Sequence, residues 1–453
     1  MQVKGKKVLV VGLARSGLAA ANFLLGCGAQ VTITDRKRRE QLKDSMAQLE
    51  QPVQFSLGGH RLEDFLQADF IVLSPGVPSD LPELLDASRR GVPIYSEIEL
   101  AYRFLKGRVI GVTGSNGKTT TTTLIGKLLA TAGLECVVAG NIGTPLIQCL
   151  GPPATAASSS TTYVVELSSF QLENIEKFKC DVALMLNVSP GHQDRYPDFK
   201  DYLKAKERIF LNQSEEHCAV LNADDPHTLK MAADRRASAF LFSRKQTLEQ
   251  GVFLDQQRIQ IAWKGERHDL MPVGAVRLRG GHNLENILAA TAAGFLSGVD
   301  QEAMAETFST FEGVEHRLER VRAVGGITFY NDSKATNAES TLQALKAFDE
   351  ALIVIMGGLD KGSDFSILVP LMKEKVKQLI LLGVAGDMIE GILGKSVSTI
   401  RAQDLPQAVE LAHQEAAPGD VIVLSPGCAS FDMFEDFEHR GQVFKEAVTA
   451  LCP

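Results

Sequence analysis

The run Gly111-Val-Thr113-Gly114-Ser115-Asn116-Gly117-Lys118-Thr119-Thr120 holds the residue types that a polyphosphate site needs. Its glycines let backbone N–H groups close around phosphate oxygens, and a helix beginning at the lysine adds partial positive charge. Lys118 then reaches the terminal phosphates, and the Thr119 hydroxyl offers a ligand to Mg²⁺. The spacing departs from the common GxxxxGK[ST] loop, because Val112 stands where the first glycine is expected. A glycine-rich turn with an incidental Lys-Thr is the bland alternative. The apolar run at 109–112 before the loop and the pairs Leu124-Ile125 and Leu128-Leu129 after it favour a strand–loop–helix unit that binds ATP.

Three further places carry chemistry. Tyr163-Val-Val-Glu166 is an apolar strand ending in a carboxylate, where phosphate-loop enzymes hold Mg²⁺; a solvent-facing or capping Glu is the competing reading. A second apolar run at 182–186 leads into a loop containing His192, a candidate metal or substrate contact that taken alone is an ordinary loop histidine. In the helical segment that follows, positions 199, 203, 206 and 210 share a face, and they are Phe, Leu, Lys and Phe. Lys206 in that stripe either snorkels to water or is buried for a purpose. Burial lowers an amine's pKa, and a neutral amine reacts with CO₂ to give a carbamate, an anionic oxygen ligand suited to Mg²⁺.

The N-terminal part has its own glycine pattern. Gly12-x-Ala14-x-x-Gly17 lies between a strand and a helix, with Asp35 at the end of the next strand. It resembles a dinucleotide fingerprint whose middle glycine is replaced by Ala14, which crowds the approach of a pyrophosphate. A different diphosphate, such as a nucleotide-sugar, is the better reading, and a nicotinamide cofactor the alternative. Ser74-Pro-Gly76 follows another apolar run and belongs on the same strand-C-terminal edge.

These groups need α/β units to position them. Strands are expected at 7–11, 31–34, 70–73 and 93–95, with a helix over 19–25. A break near Lys106-Gly-Arg108 precedes the phosphate-loop strand, and Phe311 to His316 reads as a second connector. Strands at 328–330, 351–356, 378–382 and 421–424 follow. The expected fold is therefore α/β in three domains: Rossmann-like at 1–106, phosphate-loop ATPase-like at 107–310, and Rossmann-like at 311–453. The low-complexity stretch Gly151 to Thr162 reads as a mobile loop without a chemical role.

Composition bounds the partners. With 45% hydrophobic and 23% charged residues the chain is ordinary for a globular protein, and its net charge of −8 argues against a broad nucleic-acid surface. Seven cysteines without CxxC spacing suggest reduced thiols. No apolar run approaches the ~20 residues that span a bilayer, and the N-terminus lacks a signal-peptide core. A cytoplasmic protein, monomeric and without membrane or nucleic-acid partners, is the expectation.

Taken together, several segments resemble the Mur ligases, ATP-dependent amide-bond-forming enzymes of bacterial cell-wall precursor synthesis. They are Thr113 to Thr120, Gly140-Asn-Ile-Gly143, Glu166-Leu-Ser-Ser-Phe-Gln171, Asn187 through His192 to Tyr196, Ala205-Lys206 and Gly281-His-Asn283-Leu-Glu-Asn286. His316-Arg-Leu-Glu319, Asn331-Asp-Ser-Lys-Ala-Thr-Asn337, Gly357-Gly-Leu-Asp-Lys361 and Leu424-Ser-Pro-Gly-Cys-Ala-Ser-Phe431 extend the likeness across nearly the whole chain. Asp-Ser-Lys-Ala-Thr-Asn and Ser-Pro-x-Cys-Ala-Ser are most similar to the branch that adds D-glutamate.

The resemblance implies that ATP phosphorylates the carboxylate of UDP-N-acetylmuramoyl-L-alanine and that the amine of D-glutamate displaces the phosphate. It implies catalytic roles for Lys118, Glu166, His192 and Lys206, with Thr119, Glu166, His192 and carbamylated Lys206 holding Mg²⁺. Asn283, Arg317 and Asp332 would join Thr113–Thr120 around the nucleotide. Ser16, Asp35, Arg36, Ser74, Gly76, Asn141, Ser168 and Gln171 would hold the UDP-sugar, and Thr336, Lys361, Ser430 and Phe437 the D-glutamate. Gly191 before His192 departs from the acidic residue that members often carry there. Sister ligases that add another amino acid, or extend folate with glutamate, share the same ATP machinery and are the alternative.

Overall fold

The computed structural model describes residues 1–151, 159–189, 195–196, 198–231 and 236–451. The chain divides into two compact units, Met1–Gly274 with Glu285–Thr307, and Ala275–Leu284 with Phe308–Pro453.

The first unit holds two sheets. Strands β1 (Lys7–Val11), β2 (Gln30–Asp35), β3 (Gln54–Leu57), β4 (Phe70–Leu73) and β5 (Ile94–Ser96) form a parallel sheet in the order β3-β2-β1-β4-β5. Their apolar runs bury on both faces, as parallel strands must when helices cover each side. Val8, Val10 and Val72 pack with Ala20 and Leu24, whereas Leu9, Val11, Ile71 and Leu73 pack with Phe65 and Leu84. The strand order reverses between β1 and β4, so the loops carrying Gly12 and Ser74 flank the crevice where such sheets take ligands. Gly17 is required here: a Cβ on it would lie 1.9 Å from the Gly12 carbonyl oxygen.

The second sheet has nine strands. They are β6 (Arg108–Thr113), β7 (Cys136–Gly140), β8 (Thr162–Glu166), β9 (Val182–Met185), β10 (Cys218–Asn222), β11 (Ser238–Ser243), β12 (Gly251–Asp255), β13 (Arg258–Trp263) and β14 (Glu266–Pro272). The order is β14-β13-β12-β11-β10-β9-β6-β8-β7, parallel from β7 to β12 and ending in an antiparallel meander. The phosphate-loop strand β6 lies between β8 and β9, with Val112 opposite Glu166 and Thr113 opposite Met185. That register delivers the loop, the carboxylate and Asn187 to one edge.

A short helix, Glu97–Tyr102, follows β5 and fastens the first sheet to the second. Glu99 is fully buried, and one of its carboxylate oxygens accepts three successive backbone N–H groups, from Glu176, Lys177 and Phe178, at 2.8, 2.9 and 2.8 Å. Its other oxygen accepts Arg103 Nε at 2.8 Å. Glu97 reaches the opposite way and accepts the Ile147 amide at 2.7 Å. Burial pushes the Glu97 carboxyl up to about 7, against the opposing pull of that amide and of Arg15.

The second unit contains β15 (Glu319–Val324), β16 (Ile327–Asn331), β17 (Leu352–Gly357), β18 (Val376–Leu382), β19 (Ser398–Arg401) and β20 (Val421–Leu424). Their order is β15-β16-β20-β17-β18-β19, with only β15 antiparallel to its neighbour. Here the loops after β16, β20 and β17 meet at the centre of the C-terminal edge.

The expected strands are present, the fourth displaced by one residue to Ile94–Ser96. The reading did not anticipate β3, β7, β10 to β15 or β19. Of the expected loop at 151–162, residues 152–158 lie outside the described residues, and Thr162 already opens β8.

Replacing Glu99 by Ala takes the partner from three backbone amides, of which that of Phe178 is buried, and from the largely buried Arg103. The expected outcome is a loss of about 3 kcal/mol, the scale of breaking a buried charged pair. Urea unfolding followed by circular dichroism measures it, and an unchanged midpoint would contradict this account of the join.

Candidate active site

Gly117 caps the helix Lys118–Thr131 in a left-handed conformation, with φ 83°. A side chain there is excluded twice over, because a Cβ would lie 2.2 Å from Asn286 Oδ1. The loop before it is clamped by the turn that leaves β9. Ser115 N donates to the Asn187 carbonyl at 3.0 Å, and the Asn187 side chain pairs with both the amide and the carbonyl of Asn116, at 2.9 and 3.2 Å. Ser115 Oγ donates to the Ser189 carbonyl and accepts the Ser189 amide, both at 3.0 Å. Asp225 holds this turn in place by accepting Val188 N at 2.8 Å. Thr113 Oγ1 donates to the Leu167 carbonyl at 2.8 Å, linking the loop to the end of β8. Thr119 and Thr120 are buried in the first helical turn.

Two lysines meet at one oxygen. The Gly114 carbonyl accepts Lys118 Nζ at 2.9 Å and Lys206 Nζ at 2.7 Å. Lys206 is 1% exposed and its Nζ stands 4.7 Å from the centre of the Tyr202 ring. Burial is the first cause that drives its amine well below the ordinary lysine range; the charge of Lys118 adds to the effect and Glu166 opposes it. Snorkelling is therefore not what this side chain does. The helix Phe199–Glu207 buries Tyr202, Ala205 and Lys206, while Phe199 and Leu203 are half-buried, so its inward face is centred away from the expected 199–203 line.

Glu166 ends β8 and is 1% exposed. Asn141 Nδ2 donates to its Oε1 at 2.8 Å, while Oε2 is buried without a hydrogen-bond partner. A buried carboxylate oxygen left open near a buried amine suits a hard cation, which prefers oxygen ligands. Thr119, Glu166 and a carbamylated Lys206 thus form a donor set compatible with Mg²⁺. His192 lies outside the described residues.

The candidate UDP-sugar residues gather along the C-terminal edges of the first two sheets, several with structural duties as well. Asp35 accepts the amides of Leu13 and Lys37, each at 2.8 Å, and Ser74 Oγ donates to the Gly12 carbonyl at 2.9 Å. Ser16 is half-buried in the first turn of the helix Arg15–Gly26, where no side chain caps the N-terminus. Arg36 and Gly76 are exposed. Ser168 and Gln171 bond each other in a capping box that opens the helix Ser169–Glu173. Asn141 lends its carbonyl to Arg15 Nη2 at 3.0 Å.

In the second unit, Asp332 follows β16 and accepts Leu318 N at 3.2 Å and Ser425 Oγ at 3.1 Å. Burial raises its carboxyl to about 7, although Ser425, Arg317 and the Leu318 amide all favour the charge. Arg317 sits between two non-glycine residues of positive φ, His316 at 62° and Leu318 at 44°. Such strain persists only where the surroundings over-determine it, and it concentrates at working sites. Asn283 is buried and its Nδ2 donates to the Arg279 carbonyl at 2.7 Å.

The four candidate D-glutamate residues lie on or beside the central loops of the third sheet. Lys361 is exposed, with Nζ 5.4 Å from the Phe431 ring centre; Thr336 is half-buried and Ser430 is buried. Phe437 begins the helix Phe437–Ala450 and is half-buried, with Lys334 Nζ 5.0 Å from its ring centre. Two contacts join the loops: Gly427 N donates to Ala335 O at 2.9 Å, and Leu359 bridges Ala429.

Sequence reading passed over two kinds of residue here. Asn187 and Asp225 hold the phosphate loop through backbone atoms, and no spacing rule announces that. Arg440 is 2% exposed and donates to Ser333 O at 2.8 Å and to Cys428 O at 3.1 Å, tying together the loops that carry Thr336 and Ser430. One polar turn in an amphipathic helix gives no sign of such a role.

Three family models match the chain. The one described as Mur ligase MurD-like, N-terminal domain covers residues 6–96, Mur ligase middle domain covers 112–294, and Mur ligase, glutamate ligase domain covers 316–428. The UDP-N-acetylmuramoylalanine--D-glutamate ligase of Geotalea daltonii is 45% identical over 455 residues, spanning 100% of this chain and 99% of that protein. The enzyme of the same name from Acidobacterium capsulatum is 46% identical over 453 residues, 99% of this chain and 97% of its own. Among solved structures, UDP-N-acetylmuramate-alanine ligase MurC from Thermotoga maritima aligns with a TM-score of 0.61 at 19% identity, covering 98% of this chain and 99% of that one. MurF ligase from Thermotoga maritima, in complex with ADP, aligns at 0.60 and 15% identity, covering 99% and 96%. The structural likenesses establish the shared fold.

Asp332 sets a pH signature. Its folded-state value near 7 lies above the ordinary 3.8, so the folded form keeps a proton that the unfolded form has lost between those values. Stability therefore falls as pH rises through that window, and the penalty is complete above about 7. Asp332→Asn removes it. The variant should gain on the order of 2 kcal/mol more over wild type at pH 8 than at pH 5, read from urea unfolding at both values.

Proposed function

The chain belongs to the Mur ligase family, and we propose that it joins D-glutamate to UDP-N-acetylmuramoyl-L-alanine with cleavage of ATP to ADP and phosphate. The observation that carries the chemistry is the meeting of Lys118 and the buried Lys206 at the Gly114 carbonyl, with the open Glu166 oxygen in the same site. The substrate choice is supported by full-length relatives at 45% and 46% identity that carry the D-glutamate ligase name.

In this reading the substrate carboxylate oxygen attacks the γ-phosphorus of ATP, the bond to ADP breaks, and an acyl phosphate forms. The neutral amine of D-glutamate then attacks the acyl carbon. The tetrahedral adduct loses a proton and phosphate to leave the amide. Because a triphosphate, the acceptor carboxylate and the dicarboxylate D-glutamate converge, catalysis is chiefly charge neutralisation and positioning.

The phosphate-loop amides and Lys118 hold the polyphosphate, and the Asn187 clamp keeps those amides aimed. Thr119, Glu166, His192 and Lys206 as its carbamate would hold Mg²⁺, which supplies positive charge to the phosphates and the acceptor carboxylate. The carbamate arises when the Lys206 nitrogen bonds the carbon of CO₂ and releases one proton. Asn283, Arg317 and Asp332 serve the nucleotide. Ser16, Asp35, Arg36, Ser74, Gly76, Asn141, Ser168 and Gln171 serve the UDP-sugar. Lys361 faces a carboxylate of D-glutamate, with Thr336, Ser430 and Phe437 completing that site.

We place the reaction in cytoplasmic peptidoglycan precursor synthesis, upstream of cell shape and division, in a monomeric enzyme. Among the described residues no helix is long and apolar enough to cross a membrane.

Phosphate release is measured with ATP, Mg²⁺ and UDP-N-acetylmuramoyl-L-alanine, with and without D-glutamate, and the product is weighed by mass spectrometry. Release that requires D-glutamate and yields the amide is expected; release driven instead by L-lysine or meso-diaminopimelate would overturn the specificity. Lys206→Ala should lower turnover by at least about a hundredfold, the scale of losing a transition-state electrostatic contact. It should leave ATP affinity within a few-fold. With ¹³C-bicarbonate, the wild-type protein should show a carbamate resonance that Lys206→Ala lacks.

A further inference from the structure

The carboxylate of Glu173 joins three segments that are remote in sequence. Its Oε2 accepts Ser79 Oγ at 2.6 Å and Arg195 Nη2 at 2.6 Å, and its Oε1 accepts the Tyr196 hydroxyl. Ser79 lies in the loop that leaves β4 after Ser74 and Gly76. Glu173 ends the helix opened by the Ser168–Gln171 box. Ser79 is itself held from two more sides, by Asn174 Nδ2 and Arg195 Nη2, each at 3.2 Å. Glu173 and Arg195 are both 16% exposed, so the pair works in a partly desolvated setting where one charge without the other is costly.

The cluster also has a rigid aromatic backing. The Arg195 guanidinium lies 5.1 Å from the Phe170 ring centre, Phe170 stacks on Tyr196 at 5.8 Å, and Tyr196 meets Tyr202 at 5.4 Å. Tyr202 in turn faces Lys206 and approaches Ser115 Oγ at 3.4 Å. A continuous line of packed groups therefore runs from the loop of the first sheet to the phosphate loop of the second.

We propose that Glu173 is a positioning residue for the nucleotide-sugar substrate, fixing the 74–79 loop against the helix that carries Ser168 and Gln171. The proposal rests on the ligase reading for the identity of that substrate. Glu173 itself touches no substrate; it sets the distance between two walls that do. Glu173→Gln keeps the shape but removes the charge that Ser79, Arg195 and Tyr196 converge on.

Affinity for UDP-N-acetylmuramoyl-L-alanine is measured by calorimetry, independently of turnover, beside KM values for ATP and D-glutamate and the thermal midpoint. Glu173→Gln should weaken nucleotide-sugar binding by roughly tenfold, the scale of a hydrogen bond to a charged group. KM for ATP and for D-glutamate should stay within about twofold, while the thermal midpoint falls because Arg195 loses its counter-charge. Ser79→Ala, which removes one hydroxyl and decides the matter if Glu173→Gln does not fold, should weaken the same affinity less. The double variant should be no worse than Glu173→Gln alone, because both cut one link. Unchanged nucleotide-sugar affinity in the variants, additive effects, or a parallel loss for all three substrates would each overturn the positioning role. Wild-type protein that binds the nucleotide-sugar yet releases no phosphate would sink the ligase reading while leaving the positioning result intact. Wild-type protein that does not bind it would overturn both.

Discussion

The centre of this molecule is organised by one backbone oxygen, the carbonyl of Gly114, and by the fact that two lysines donate to it. A buried oxygen with one ammonium group is well satisfied. A second full positive charge next to the first, away from water, is disfavoured on both counts. Burial first, and the charge of Lys118 in addition, make Lys206 a weak base, so the phosphate loop contributes to the chemistry of a residue 92 positions beyond Gly114. That outcome needs the loop to be stiff. Asn187, Ser189 and Asp225 provide the stiffness from behind, and the short helix ending at Glu207 brings the amine to the same point.

Much of this was legible in the sequence, and the reasons differ by element. The phosphate loop announced itself because few physical contexts need glycine, lysine and threonine between an apolar strand and a helix. Most strands buried on both faces were legible because double-sided burial demands runs of Val, Ile and Leu; β10, Cys-Ala-Val-Leu-Asn, lies inside the second sheet and is too short a run to announce itself. Edge strands were not legible either: β3 reads Gln-Phe-Ser-Leu and β19 Ser-Thr-Ile-Arg, patterns that a loop also tolerates. In the β12–β14 meander only β13, Arg-Ile-Gln-Ile-Ala-Trp, begins in alternation, whereas Gly-Val-Phe-Leu-Asp and Glu-Arg-His-Asp-Leu-Met-Pro do not.

The site residues divide along the same line. Lys118, Glu166 and Lys206 were found from residue type and strand or helix position, since their chemistry is local. Asp35 and Ser74 were singled out by their places at strand ends and Gln171 by family likeness, and the structure gives each a hydrogen bond within the protein that spacing alone does not reveal. Glu173, Asn187 and Arg440 escaped because their partners are backbone atoms or side chains from distant segments. Carboxylates bound to main-chain amides recur throughout, at Asp35, Glu99, Asp225 and Asp332. Each anchors a loop end through contacts that depend on where the backbone goes rather than on which residues it carries.

The three amides gathered by Glu99 have a bearing on modularity. Sheet by sheet the first unit looks like two separable parts, a five-stranded sheet and a nine-stranded one. Yet the hydrogen-bonding requirement of the 176–178 turn is met by a side chain encoded before the second sheet begins. A graft of the second sheet onto a foreign first domain would import that turn with its three amides deprived of their carboxylate. Any successful chimera must carry the Glu97–Tyr102 helix along with its new host, so the heritable module extends past the boundary that the strands suggest.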